Sequence, residues 1–141
     1  MNPKILQTVQ QLHAENFNQG TVLYQEGEAP SNVMYFVFSG ELGVFKNRNG
    51  QEVEINRMKQ GDFFGEMALV YKHPRLATVR VITPTARLVV MNREILQKLA
   101  GSSPEFTFYL LRYAVNRLMA AEDKLQRVKE QLKEKQRNEI S

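Results

Sequence analysis

VMYFVFSGELGVFKNRNGQEVEINRM, residues 33–58, is the stretch whose pattern decides the fold. It holds three runs rich in β-branched and aromatic residues, Val33–Phe38, Leu42–Phe45 and Val53–Met58. Ser39-Gly40 breaks the first from the second, and Asn49-Gly50 the second from the third. Asn and Gly both tolerate the positive φ of a type I′ turn, so Asn49-Gly50 predicts a tight hairpin. Working outward, Thr21–Tyr24 precedes this stretch, and Leu76–Ile82 and Ala86–Met91 follow it. Turn residues at Glu26-Gly27-Glu28, Gly61-Asp62 and Thr83-Pro84 punctuate the series. Many short strands at close spacing predict a β-barrel or sandwich, not a parallel sheet.

Helices flank the strands. Residues 4–12 read as a short amphipathic helix. Asn92 is placed to N-cap a helix over Arg93–Leu99 that ends at Ala100-Gly101. Ser102 or Ser103 then caps a long helix, with Pro104 in its first turn and Glu105 placed for a capping box. Nothing breaks that helix before about Arg137, and Pro104 to Lys135 spans roughly 48 Å. Such a length is too great to bury on a small barrel. Leu111, Ala114, Leu118, Ala121, Leu125, Val128 and Leu132 step by three and four, a heptad with Leu at every a position. The extra apolar residues Phe106, Phe108, Leu110 and Val115 predict packing of the first turns on the barrel. Beyond Leu118 the stripe narrows to a seam, which predicts a homodimer. Arg117 at g and Glu122 at e suit pairing across a parallel dimer, whereas Lys124 and Lys129 repel.

Composition narrows the function classes. The chain has 141 residues, enough for one domain, and 43% of them are apolar. Cysteine is absent, which excludes disulfides, thiolate metal sites and cysteine catalysis. Only His13 and His73 are available for an imidazole metal centre, so none is expected. No apolar run reaches the roughly 20 residues of a membrane span. Met1-Asn2-Pro3-Lys4 does not lead into a signal-peptide core. A cytoplasmic protein without a membrane partner is expected. Net charge is +4, yet from Arg117 onward seven Lys/Arg are mixed with five Asp/Glu. That mixture reads as a solvated helix face, so no direct nucleic-acid binding is expected.

The chemistry concentrates in Gly61-Asp62-Phe63-Phe64-Gly65-Glu66-Met67-Ala68-Leu69 and Pro74-Arg75-Leu76-Ala77-Thr78. A short helix beginning at Glu66 would present free N–H groups to an anion. Arg75 has the planar fork that grips two phosphate oxygens. Glu66 can accept from a ribose hydroxyl. Spacing alone leaves a second reading open, in which Glu66 and Arg75 form an ordinary surface ion pair.

Gly65-Glu66-Met67-Ala68-Leu69 followed by Arg75-Leu76-Ala77-Thr78 resembles the phosphate-binding cassette of cyclic-nucleotide-binding domains. Gly20, Gly27, Gly40 and Gly61, with Tyr35-Phe36-Val37 leading to Gly40, fall where that family has them. The resemblance covers roughly residues 17–98, and the long helix continues it in the manner of the catabolite-activator branch. It implies a mainly β protein with helices (α+β): an antiparallel β-roll or jelly-roll barrel with short N-terminal, short cassette and long C-terminal helices. Residues 1–103 would form the binding domain and 104–141 the lid or dimerisation helix and tail.

The resemblance further implies that Arg75 holds the cyclic phosphate and Glu66 the ribose 2′-hydroxyl. Backbone groups of Gly65, Met67 and Ala77 would line the sugar-phosphate, with Phe64, Ala68, Pro74 and Leu76 beside them. Val44, Ile55 and Met58 correspond to positions beside the base, although each also suits plain core. The activator branch touches adenine with a polar pair on the long helix, here Ala121 and Glu122. Alanine cannot make that contact, so Arg117 and Glu122 are the candidates for the base cap. Cyclic GMP-selective relatives often place threonine directly after the arginine. Leu76 stands there instead, so cyclic AMP is the expected ligand and cyclic GMP the lesser one, with no other cofactor.

The function implied is a non-catalytic cyclic-AMP sensor acting through its C-terminal helix on an unknown downstream protein. A ligand-free adaptor of the same fold is the alternative, as is a regulatory fragment of a larger transcription factor, channel or kinase. The activator branch adds a winged helix-turn-helix near where Ser141 stands, and both a stand-alone sensor and an excised piece fit that observation.

Overall fold

The computed structural model describes residues 7–8, 12–66, 69 and 71–140. The helix expected over residues 4–12 lies for the most part outside them. So do Met67, Ala68 and Val70 of the expected cassette helix; of its described residues, Glu66, the expected start, stands in a turn and Leu69 is helical.

Eight strands form two four-stranded antiparallel sheets: β1 (Ala14–Asn18), β2 (Val22–Tyr24), β3 (Val33–Ser39), β4 (Leu42–Arg48), β5 (Gln51–Met58), β6 (Phe63–Phe64), β7 (Thr78–Val81) and β8 (Thr85–Asn92). One sheet runs β1-β8-β3-β6 and the other β2-β7-β4-β5. This is the α+β jelly-roll barrel expected. At the β4–β5 hairpin Asn49 has φ 56° and Gly50 φ 81°, the pair of positive values that a type I′ turn requires. β1 and β6 were not foreseen. β1 alternates too weakly to stand out, and two residues of β6 carry no period.

Side-chain alternation explains why β3 reads as an unbroken apolar run. Tyr35 and Val37 point between the sheets, where they meet Leu42, Val79 and Leu88. Met34 and Phe36 point outward, against Met91, Leu99 and Phe106 under the helices. A strand covered on both faces has no polar face to show. β6 divides in the same way. Phe64 stacks on Tyr35 inside the barrel, centroids 4.9 Å apart, while Phe63 meets Phe36, Phe106, Tyr109 and Tyr113 outside.

Two helices follow, α1 (Arg93–Ser102) and α2 (Pro104–Ile140). The Asn92 side chain accepts from the Ile95 N–H at 2.8 Å, the N-cap expected. Gly101 does not stop α1; the helix continues to Ser102, and the Ser103 N–H closes it on the Leu99 carbonyl. Ser103, not Ser102, caps α2 by accepting from the Phe106 N–H at 3.2 Å. The capping-box position is therefore Phe106, and Glu105 falls one residue short of it.

Phe106 and Leu110 pack on the barrel as expected, joined by Tyr109 and Tyr113. Phe108 and Val115 do not: they are 66% and 44% exposed. At 100° per residue a helix lying on a surface buries only one stripe, and 106, 109, 110 and 113 already fill it. From Ala114 to Ile140 every residue of α2 is exposed, and beyond Arg117 the helix leaves the barrel and runs free for about 35 Å. None of the described helices is long and apolar enough to cross a membrane.

Candidate functional site

Beneath α2, a cavity of about 320 Å³ opens on the inner face of β4, β5 and β7 and is closed on one side by the loop after β6. Val79 of β7, Val44 and Lys46 of β4, and Ile55, Asn56 and Met58 of β5 form its floor; Phe64, Gly65, Glu66, Pro74, Arg75, Leu76 and Ala77 form its wall. Among the described residues, the structure thus gathers every expected site residue except Glu122.

Strand register accounts for the floor. Val44 pairs with Asn56, but Phe45 pairs with Glu54, so Ile55 is the extra residue of a β-bulge. Regular alternation would turn Ile55 away from the face that Asn56 and Met58 share. The bulge turns it back, and adjacent residues 55 and 56 both reach the cavity. Lys46 joins them because it stands two residues from Val44. Asn56 and Lys46 were not foreseen as lining the cavity, nor were Tyr24, His73 and Val79. Parity with Val44 would have found Lys46, whereas Asn56 needed the register of β5.

Arg75 is 6% exposed, the one buried charged side chain among the described residues. Its Nη1 donates to the Gly65 carbonyl at 3.1 Å, and its Nη2 to the Ser31 hydroxyl at 3.0 Å and the Ser31 carbonyl at 3.2 Å. The guanidinium lies 4.0 Å from the centre of the Tyr24 ring. Its Nε is buried with no partner. No carboxylate pairs with it among the described residues. The ordinary surface ion pair with Glu66 is therefore not what forms. A buried cation without a counter-charge pays a large desolvation penalty, and an anion entering the cavity would offset it.

Gly65 makes the approach possible. It has φ +79°, and a Cβ there would stand 3.0 Å from Arg75 Nη1 and 3.5 Å from both Tyr24 and Tyr35. Any side chain would push into the guanidinium from a backbone conformation that L-residues rarely adopt. Tyr24, under Arg75, has its phenol pushed up to about 12, chiefly by burial, with the Arg75 charge opposing and Glu66 adding.

Glu66 pairs with Arg117 of α2, not with Arg75. Arg117 thus reaches the cavity, but as the partner of a wall carboxylate. Glu122 lies elsewhere, beside Asp123, Leu125, Gln126 and Lys129 on the free part of α2. Five helical residues carry it about 140° around and 7.5 Å beyond Arg117, away from the barrel. As a base-cap candidate it is out of reach in this arrangement.

The sequence model of the family "Cyclic nucleotide-binding domain" matches residues 14–103. This chain belongs to that family. A cGMP-dependent protein kinase of Toxoplasma gondii is 36% identical over 97 residues, 69% of this chain and 9% of the kinase. A CRP-like cAMP-activated global transcriptional regulator of Mycobacterium tuberculosis is 30% identical over 116 residues, 82% of this chain and 51% of the regulator. The chain therefore spans at most about half of either relative. The catabolite activator protein of Thermus thermophilus shares the fold, with a TM-score of 0.73 at 23% identity, over 89% of this chain and 59% of that one. As a cyclic nucleotide-binding domain, the chain is a regulatory module, and Gly65, Glu66 and Pro74 to Ala77 occupy the wall of its cavity.

Proposed function

We propose that the chain is a non-catalytic cyclic-AMP sensor of the cytoplasm that signals by repositioning α2. One observation carries this reading: Arg75, buried with an unpaired Nε and no carboxylate, in the wall of a cavity of nucleotide size. In this reading Arg75 takes the cyclic phosphate and Glu66 the ribose hydroxyl. The sugar-phosphate is assigned to the cassette backbone at Gly65, Met67 and Ala77, beside Phe64, Ala68 and Pro74. Val44, Ile55 and Met58 face the base. β7 to β5 spans two strand spacings, about 10 Å, which suits a base lying across β4 with its phosphate at the β7 side. Leu76 offers no hydroxyl to guanine, which supports cyclic AMP over cyclic GMP. Relatives of both kinds exist: the kinase is named for cGMP and the regulator for cAMP.

Output through α2 is supported by its exposed seam. Leu111, Leu118, Leu125, Val128 and Leu132 are all solvent-facing on a single chain, as a homodimer interface would be. A sensor without catalysis acts only through a difference in ligand affinity between two shapes. Calorimetric titration with cyclic AMP and cyclic GMP tests the proposal. Saturable one-to-one binding with cyclic AMP tighter is expected. Tighter cyclic GMP binding would overturn the ligand choice, and no binding of either would favour the adaptor.

A further inference from the structure

Along one face of α2, Tyr109, Tyr113 and Arg117 stand four residues apart, and each meets the segment leading out of β5. The Tyr109 hydroxyl donates to the Gly61 carbonyl at 2.9 Å, and the Tyr113 hydroxyl to the Phe63 carbonyl at 3.0 Å. Four helical residues rise about 6.0 Å, close to the roughly 6.6 Å of two extended residues. The two tracks therefore stay in step over this stretch. One turn further on, the Gly65 carbonyl is already taken by Arg75. Arg117 instead donates to the Glu66 carboxylate.

We propose that Arg117 is an internal competitor for Glu66, held in register by the Tyr109 and Tyr113 hydroxyls, and that nucleotide binding must displace it. This rests on the cyclic-AMP reading of the cavity, in which Glu66 receives the ribose 2′-hydroxyl. The carboxylate that would take that hydroxyl is occupied by a side chain of the helix that would carry the signal. Taking Glu66 from Arg117 loosens α2 at the outermost of its three ties, just where the helix leaves the barrel. Tyr113 is the positioning residue, acting through Arg117. The Arg117–Glu66 pair is partly exposed, 48% and 36% at the two side chains. Its competition is consequently modest.

The test is calorimetry on wild type, Arg117→Met and Tyr113→Phe, with cyclic AMP and 2′-deoxy cyclic AMP. Methionine keeps the apolar stem and removes the charge. Arg117→Met is expected to bind cyclic AMP about two- to fivefold more tightly, the range of an exposed ion pair. Its affinity for the 2′-deoxy compound should not change, because that ligand leaves Glu66 with its partner. Tyr113→Phe should shift the ratio between the two ligands in the same direction by less. A tyrosine that serves only stability would alter both ligands alike and leave the ratio fixed. Weaker cyclic AMP binding by Arg117→Met, or an unchanged ratio in a protein that binds, overturns the competitor alone. Failure of wild type to bind either nucleotide overturns the reading beneath it.

Discussion

Arg75 sets two requirements against each other. Its guanidinium is buried, and its hydrogen bonds to Gly65 and Ser31 satisfy some donors but neutralise no charge. In Arg75→Met those bonds, each contributing about 1.5–3 kcal/mol because the donor is charged, are lost. The penalty of an unpaired buried cation is lost with them. The two effects oppose, so the stability of the empty domain is expected to move by no more than about 2 kcal/mol. Ligand affinity has no such compensation. Removing the sole partner of a buried phosphate costs roughly 3–5 kcal/mol, or about two to three and a half decades in Kd. Urea unfolding of the empty protein and calorimetry with cyclic AMP separate the two quantities. A variant that stays folded and binds within threefold of wild type would show that Arg75 is not the phosphate partner. The type and neighbours of Arg75 were legible in the chain. Its choice of Ser31 and Tyr24 over Glu66 was not, because residues 24 and 31 approach residue 75 only once the sheets close.

Among the elements, α2 shows how a helix can be legible in the sequence while its surroundings are not. The 3-4 spacing of Leu111 to Leu132 specifies a seam whatever the helix packs against, and the structure leaves that seam exposed. Phe108 and Val115 looked like barrel contacts because they are apolar, yet the docking stripe is set by Phe106 fitting under Phe63. Local sequence cannot tell which of two apolar stripes faces inward. The seam makes its own prediction. Leu125→Lys with Leu132→Lys places two charges at positions 55% and 57% exposed in the monomer, so the barrel should fold unchanged. Self-association should be abolished, because like charges would face each other at two a positions. Sedimentation velocity over a range of concentrations measures this. A double variant that dimerises as wild type does would move the interface away from the seam.

For the whole molecule, the Phe63-Phe64 pair joins the ligand cavity to the helical layer. Adjacent residues of one short strand face opposite ways, one stacking on Tyr35 in the barrel and the other holding Phe106 and Tyr113. Both sides carry tyrosines with perturbed phenols. Burial, helped by the Asp62 charge and opposed by Arg117, pushes Tyr113 from the ordinary 10.0 to about 12. Tyr24 is pushed to about 12 on the cavity side. A raised folded-state value means the native protein holds these protons longer than the unfolded chain does. Their contribution is complete below pH 10, and stability falls as pH rises from about 10 to about 12. Urea midpoints measured across that window should decline, and Tyr113→Phe should make the decline shallower. A Tyr113→Phe profile parallel to wild type would show that this phenol is not held in its neutral form.

What the sequence determined by itself rests on short-range physics. The Asn49-Gly50 turn follows from two residues that accept positive φ. The Asn92 cap, and a second at Ser102 or Ser103 that the structure resolves to Ser103, follow from oxygens one turn ahead of free N–H groups. Six of the eight strands follow from runs of β-branched and aromatic side chains, whereas the cassette was legible only through its resemblance to a known family. Tertiary structure alone decided the bulge that turns Ile55 toward the cavity beside Asn56, the partners of Arg75, the stripe on which α2 docks, and the pairing of Glu66 with Arg117. Each of these depends on how segments tens of residues apart come into register when the two sheets close. Side-chain periodicity along the chain carries no record of that register.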